Sequence, residues 1–259
     1  MKKTFKKIIS TVAVMTLIVL SGLVSVIVSP QLLFANKMEH GHFSVYFNTP
    51  LDEPSLTLRL DDAYALIERS ELHDPAYHFR IFLAHDQLFN DIENLRGEGP
   101  IARATLGYIT MKVPVVPEHN YAVGNRGNQV DLTWLLAHEM VHNLQAHRYG
   151  LLNFSPLKHP PMWKLEGYPE YIAKHHRLTK ENYRLKSEVA RYQKLISESD
   201  DGSVEVTYNH FMPYYYSKGR LMVEYLMDVR GLSYDQILKD TRSEEEVFDA
   251  LVHWTESEL

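Results

Sequence analysis

Apolar and polar positions change their spacing twice along this chain. Residues 8–28 show no periodicity: all 21 are uncharged and most are apolar, and Lys2, Lys3, Lys6 and Lys7 precede them. A helix of that length reaches roughly 30 Å, the thickness of a bilayer core, and has no polar face to turn toward water. Lysines ahead of such a segment favour an amino terminus left in the cytoplasm and an exported body. Two segments fit: a secretory signal peptide cut near Leu33-Phe34-Ala35, with Pro30 as breaker, or an uncleaved signal anchor. The run exceeds the roughly 7–15 residues of a signal-peptide core, and Leu33 is bulky where a small residue is preferred, which points to the anchor. Residues 1–39 are thus expected to be the leader and residues 40–259 the body.

In the body the pattern first alternates and then turns helical. Residues 42–48, 77–84 and 104–116 read as strands, residues 58–72 as a moderately amphipathic helix, and Asp86 to near Gly97 as a short helix. Residues 124–128 (GNRGN) read as a turn. Asp131 as N-cap and Gly150 as terminator bracket a helix of about five turns. Residues 179–197 and 214–230 are further helices, the second closed by Gly231. Ser233 with Gln236 and Ser243 with Glu246 are capping boxes for two short terminal helices. Strands first and helices later predict an α+β fold, not a parallel βαβ sheet. A small, mainly antiparallel N-terminal sheet with helices would pack against a mostly helical C-terminal half.

Charge and composition narrow the function. The net charge of −6 combines a basic leader with a body of 22 basic and 32 acidic residues. An acidic body argues against nucleic acid as a partner. With no cysteine, disulfides, thiolate zinc sites and cysteine nucleophiles are excluded, so any metal would be held by imidazole and carboxylate.

His138-Glu139-Met140-Val141-His142 is an HExxH sequence inside the first long helix. Positions i and i+4 share a face, so both imidazoles reach one ion. Glu139 is rotated by about 100° from His138, near enough to contact a metal-bound water without competing as a ligand. Zinc lowers the pKa of such a water, and a glutamate can then take its proton during attack on a carbonyl. A catalytic zinc needs a third protein ligand, and Glu166 stands 24 residues beyond His142. Glu170, one turn further, is placed to accept a hydrogen bond from a ligand histidine. Pro169 suits only a first turn, so the helix is expected to begin at about Glu166 to Tyr168.

HExxH followed by Trp163-x-x-Glu166-Gly167-x-x-x-Tyr171 is similar to the gluzincin metallopeptidases, especially the aminopeptidase-type branch and its peptidase MA-like relatives. The resemblance implies that Glu166 is the third zinc ligand. That branch also carries a Tyr-x-Lys-Gly sequence opening a helix, matched here by Tyr216-Ser217-Lys218-Gly219. The resemblance gives Tyr216 the role of steadying the oxyanion, with Tyr214 or Tyr215 taking it if the register differs. It covers roughly residues 131–231. The branch's G-x-M-E-N sequence, which binds a free amino terminus, is absent, so exopeptidase action is not supported. Within residues 104–116, an edge strand could pair with an extended peptide.

The expected protein is a zinc peptidase acting on peptide or protein outside the cytoplasm, anchored in the membrane or secreted. The alternative is a catalytically idle gluzincin fold serving as a binding module at the cell surface. A deformylase-type HExxH enzyme fails for want of a cysteine ligand. His210 is a further candidate for orienting substrate or the tyrosine, Tyr208 and Asn209 lesser ones. His147, His175 and His176 read as surface residues, and Asn143 as a capping or solvated one.

Overall fold

The computed structural model describes residues 2–85, 88–94, 100–124, 127–154, 158–174, 185–198, 202–207 and 210–257. The apolar run forms helix α1 (Lys2–Val28), followed by a 3₁₀ turn at Pro30–Leu33. Strand β1 (Asn36–His40) starts inside the expected leader and pairs antiparallel with β2 (Phe43–Phe47). Helix α2 (Glu53–Ile67) then crosses to β3 (Phe79–Leu83). Its start precedes the expected one, because Asp52 caps the backbone of Ser55 and Pro54 occupies the first turn ahead of the periodic apolar positions. Helix α3 (Leu88–Asn94) follows.

The alternating stretch 104–116 is not one strand. It divides into the end of β4 (Ala102–Thr105), β5 (Tyr108–Met111) and β6 (Val115–Val116). Leu106 (φ 52°) and Gly107 (φ 75°) make a hairpin turn between the first two. Leucine in that left-handed region is unusual, and alternation alone conceals the break. The five strands lie in the order β1-β2-β3-β5-β4. The fold is α+β with a helical C-terminal half, as expected, but the sheet is mixed. Its outer pairs are antiparallel, while β2–β3 and β3–β5 are parallel. The β2–α2–β3 crossover is thus a βαβ unit that the strands-then-helices pattern did not predict. Parallel strands need cover on both faces, and this sheet has it.

A three-stranded antiparallel sheet of β6, β7 (Tyr121–Val123) and β8 (Gln129–Asp131) leads into α4 (Leu132–Tyr149). Asp131 accepts the Trp134 N–H at 2.7 Å, and Gly150 ends the helix at φ 89°. Helix α4 is buried almost all round, between the sheet and α2 on one side and α5 (Met162–Lys174) on the other. Helix α6 (Leu185–Glu198) is followed by two strands the sequence did not suggest, β9 (Ser203–Thr207) and β10 (His210–Pro213). Helix α7 (Tyr214–Glu224) passes into a π-helical turn at Tyr225–Val229, closed by Gly231 at φ 66°. Both terminal helices, α8 (Tyr234–Lys239) and α9 (Glu244–Ser257), begin at the expected capping boxes.

Helices α5 and α7 cross where Gly167 faces Gly219. A Cβ on Gly167 would stand 2.5 Å from the Gly219 carbonyl oxygen, so only glycine permits this approach. The Glu-Gly pair and the Tyr-x-Lys-Gly sequence therefore share a packing reason for their glycines. Gly167→Ala is expected to destabilise by about 2 kcal/mol through overpacking, a fall of roughly 5 °C in Tm. An unchanged calorimetric midpoint would refute this crossing.

Candidate metal centre

Helix α4 carries His138 and His142 one turn apart, and α5 brings Glu166 to them. Nε2 of His138 and Nε2 of His142 are 3.1 Å apart. Oε2 of Glu166 lies 3.3 Å from the first and 3.1 Å from the second. Ligands about 2.0–2.1 Å from a tetrahedral zinc would be about 3.3 Å from one another, so these three atoms already stand at the edges of such a site. Among the described residues this is the one group of three or more His, Cys, Asp and Glu side chains that could hold a metal ion.

All three groups are largely buried, and their charges are mutually dependent. Burial would lower the His138 pKa, but hydrogen bonds to Glu166 and Glu170 outweigh it and hold the ring up at about 10. Burial likewise opposes charge on His142, and the Glu166 carboxylate reverses that, raising its pKa. Glu166 would be pushed up by burial. The His142 charge, with hydrogen bonds from both rings, instead holds it well below the usual carboxylate range. A buried carboxylate so placed requires a cation, either a protonated imidazole or a metal ion.

The far nitrogen of each ring is also engaged. Nδ1 of His138 lies 3.2 Å from Oε1 of Glu170, which is fully buried, within ion-pair distance. Nδ1 of His142 donates to Oε1 of Gln145 at 2.8 Å, a partner the sequence reading missed. Gln145 is itself locked: its Nε2 donates to the Leu165 carbonyl at 3.1 Å and to the Tyr234 hydroxyl at 2.7 Å. That hydroxyl in turn donates to the Lys164 carbonyl at 3.0 Å. The two carbonyl acceptors fix which end of the amide faces His142, and hence leave the Nε2 lone pair of His142 free for a metal.

This network corrects the expectation about Pro169. Helix α5 begins at Met162, so Pro169 sits in its interior and Glu166 lies more than one turn inside it. Proline removes the N–H that would bond the carbonyl four residues back, which is Leu165. The Gln145 amide satisfies that carbonyl, so the helix continues through the proline. The signal was legible in principle: a glutamine three residues after the second histidine, paired with a proline three after the third ligand. Gln145→Leu should weaken zinc binding 10- to 100-fold in a chelator competition. Gln145→Glu retains the acceptor for His142 but not the donor to Leu165, and should lower Tm more than it lowers affinity. Wild-type affinity in Gln145→Leu would show the bond to be incidental.

Glu139, 6% exposed, follows His138 on the helix. Burial raises its pKa, and the neighbouring charges of His138 and His142 partly offset the rise. Its carboxylate accepts the backbone N–H of Ala104 on β4. The β4–β5 register agrees: Lys112 N–H donates to the Ile101 carbonyl, so alternation turns the backbone groups of Ala102 and Ala104 outward, away from β5. β4 is the sheet's edge and runs beside α4.

Of the three adjacent tyrosines, Tyr216 is the one whose ring meets the site, edge-on to His138 with centroids 6.0 Å apart. Burial raises its pKa, and the Glu166 charge adds to this. Tyr215 stacks on it at 4.4 Å, while Tyr214 is 42% exposed. Trp134 lies 5.7 Å from the His138 ring on its own helix. His147 is half exposed and meets Asp74, as a surface residue would. Asn143 is buried and not solvated, because α4 has almost no outward face. His175, His176, Tyr208 and Asn209 lie outside the described residues, as does the side chain of His210.

A buried helix bearing HExxH, a carboxylate from the next helix completing a three-donor set, and an edge strand beside both define a zinc metallopeptidase. Residues 120–256, more than half of the chain, match the collagenase family of zinc metallopeptidases, and the chain belongs to that family. No curated protein and no solved structure matches it.

Proposed function

We propose that this protein hydrolyses internal peptide bonds outside the cytoplasm, using one zinc ion held by His138, His142 and Glu166. The observation that carries the proposal is the convergence of these three donors at 3.1–3.3 Å, with Glu139 one residue along the same helix. Such a ligand set is of the gluzincin type. Bound there, zinc would supply a Lewis acid that polarises a carbonyl and acidifies a water.

The chain's own groups do the rest. Glu139 takes the proton of the attacking water and delivers it to the leaving amine; burial raises its basicity for this task. The Tyr216 hydroxyl, kept protonated by burial and by the Glu166 charge, donates a hydrogen bond to the developing oxyanion. Glu170 and Gln145 hold the two imidazoles in register. An extended peptide would lie along β4, pairing with the outward backbone groups of Ala102 and with the Ala104 carbonyl, the Ala104 N–H being held by Glu139. The absence of a G-x-M-E-N sequence leaves exopeptidase action unsupported, which favours internal cleavage. An idle binding module would have no chemical need for both Glu139 and Tyr216.

The test is chelation and restoration. Full-length protein stripped of metal should lose cleavage of a peptide library and regain it at one zinc per chain. A zinc-saturated protein that cleaves nothing would return the protein to the binding-module reading.

A further inference from the structure

The sheet has two covered faces, and the cover of the second comes from the segment expected to be the leader. Phe43, Val45, Ile81, Ile109 and Met111 face α2 and α4 in the main core. On the opposite face Phe82 and Tyr108, with Ala84 and Phe89, form a separate cluster in which each residue is 0% exposed. Val26 at the end of α1, and Leu33 and Phe34 just after it, pack against that cluster. The Phe34 ring lies 5.2 Å from Phe82 and 6.0 Å from Phe89.

Polar contacts fasten the same segment. The Tyr108 hydroxyl donates to the Ile27 carbonyl at 2.8 Å, satisfying one of the orphan carbonyls at the end of α1. Asn48 grips the chain in both directions: its Oδ1 accepts the Ala35 N–H at 2.6 Å, and its Nδ2 donates to the Leu33 carbonyl at 3.1 Å. Pro30, in the turn between helix and strand, is buried. Ahead of this seat the chain is uncharged and mostly apolar: Thr11–Val28, which overlaps the seat at its end, has a mean hydropathy of 2.5 and no fully buried residue. Leu32, 78% exposed, and Leu88 on the adjoining α3, 63% exposed, extend that uncovered surface onto the body.

We infer that residues 26–35 are a structural part of the catalytic body, that α1 is a retained anchor, and that the surface around Leu32 and Leu88 rests on the lipid bilayer. Leu33, Phe34 and Ala35, where a cleavage would fall, are folded into a turn and against the sheet. Removing them would uncover Phe82, Phe89 and Tyr108. The short turn, pinned by the buried Pro30 and by the Asn48 bond to Leu33, leaves no flexible tether, so the body is held in one pose. Helix α4 lies on the other side of the sheet, which therefore stands between the seat and the metal centre. The peptide bonds cleaved are then in the aqueous phase, not within the membrane. This last step rests on the peptidase reading; the seat itself does not.

The full chain, expressed with a C-terminal tag in a membrane-bearing host, tests it. The expected result is a carbonate-resistant membrane protein whose intact mass includes residues 1–35. A soluble, zinc-loaded, active protein beginning near Asn36 would overturn the seat and leave the peptidase assignment standing. Phe34→Ala in the full chain, in detergent, should lower the melting midpoint of the body by about 5 °C. Val19→Ala, at an exposed position in mid-helix, should leave it unchanged. Equal midpoints for the two variants would show the leader to be a mere tether. Zinc content measured alongside reports separately on the metal centre.

Discussion

Glu139→Gln is expected to reduce kcat by about 10³- to 10⁴-fold while leaving zinc bound. The substitution conserves shape, and the amide oxygen can still accept the Ala104 N–H that the carboxylate accepts now. It adds no charge to a residue only 6% exposed, so no desolvation penalty is introduced. What disappears is the capacity to take a proton. The residual rate would come from the polarised carbonyl and from Tyr216. Steady-state kinetics with zinc analysis on the same sample makes the check, because a loss of rate with metal retained is the signature of a missing base. Zinc-loaded Glu139→Gln within tenfold of wild type would remove Glu139 from the mechanism.

Glu166→Ala should have the second large effect, on the metal itself. Structural zinc sites bind with about 10–16 kcal/mol, so one of three protein ligands carries several kcal/mol. The dissociation constant should rise by at least about 10³-fold. The geometry sharpens this expectation. Among the described residues Glu166 is the one anion within 3.3 Å of both Nε2 atoms, so without it two buried imidazoles face each other with no described carboxylate between them. Glu170→Gln provides the graded comparison: it touches Nδ1 of His138 and not the metal side, so its effect should be 10- to 100-fold. Competition with a chromogenic chelator measures both. A ranking in which Glu170→Gln loses more zinc than Glu166→Ala would mean that the assignment of the two glutamates is reversed.

These residues were unequally legible. Asp131 and Gly150 bracket α4 because capping is local chemistry, and the i, i+4 histidines share a face because helix geometry is local too. Both therefore show in the sequence. Gln145 did not, since its value lies in meeting a carbonyl that a proline on another helix has left without its bond. Pro169 was misread for the same reason: a rule about isolated helices misses a partner supplied by α4. The glycines of the Glu-Gly pair and of Tyr-x-Lys-Gly were visible as letters, but their reason, a helix crossing too close for a Cβ on Gly167, exists only when both helices are in place. The hairpin within residues 104–116 was hidden by Leu106, a leucine doing what glycine or asparagine does in most such turns.

By itself the sequence determined an apolar N-terminal helix, an acidic α+β body without cysteine chemistry, and the HExxH helix with a downstream Glu-Gly pair. All of these are set by hydrophobic period, capping and residue type within a few turns of chain. The tertiary structure decided which edge strand lies beside Glu139, which amide locks His142, and that the leader's end covers a sheet face. Those are contacts between residues far apart in sequence, where burial and hydrogen-bond satisfaction across the fold, not local propensity, choose the partner.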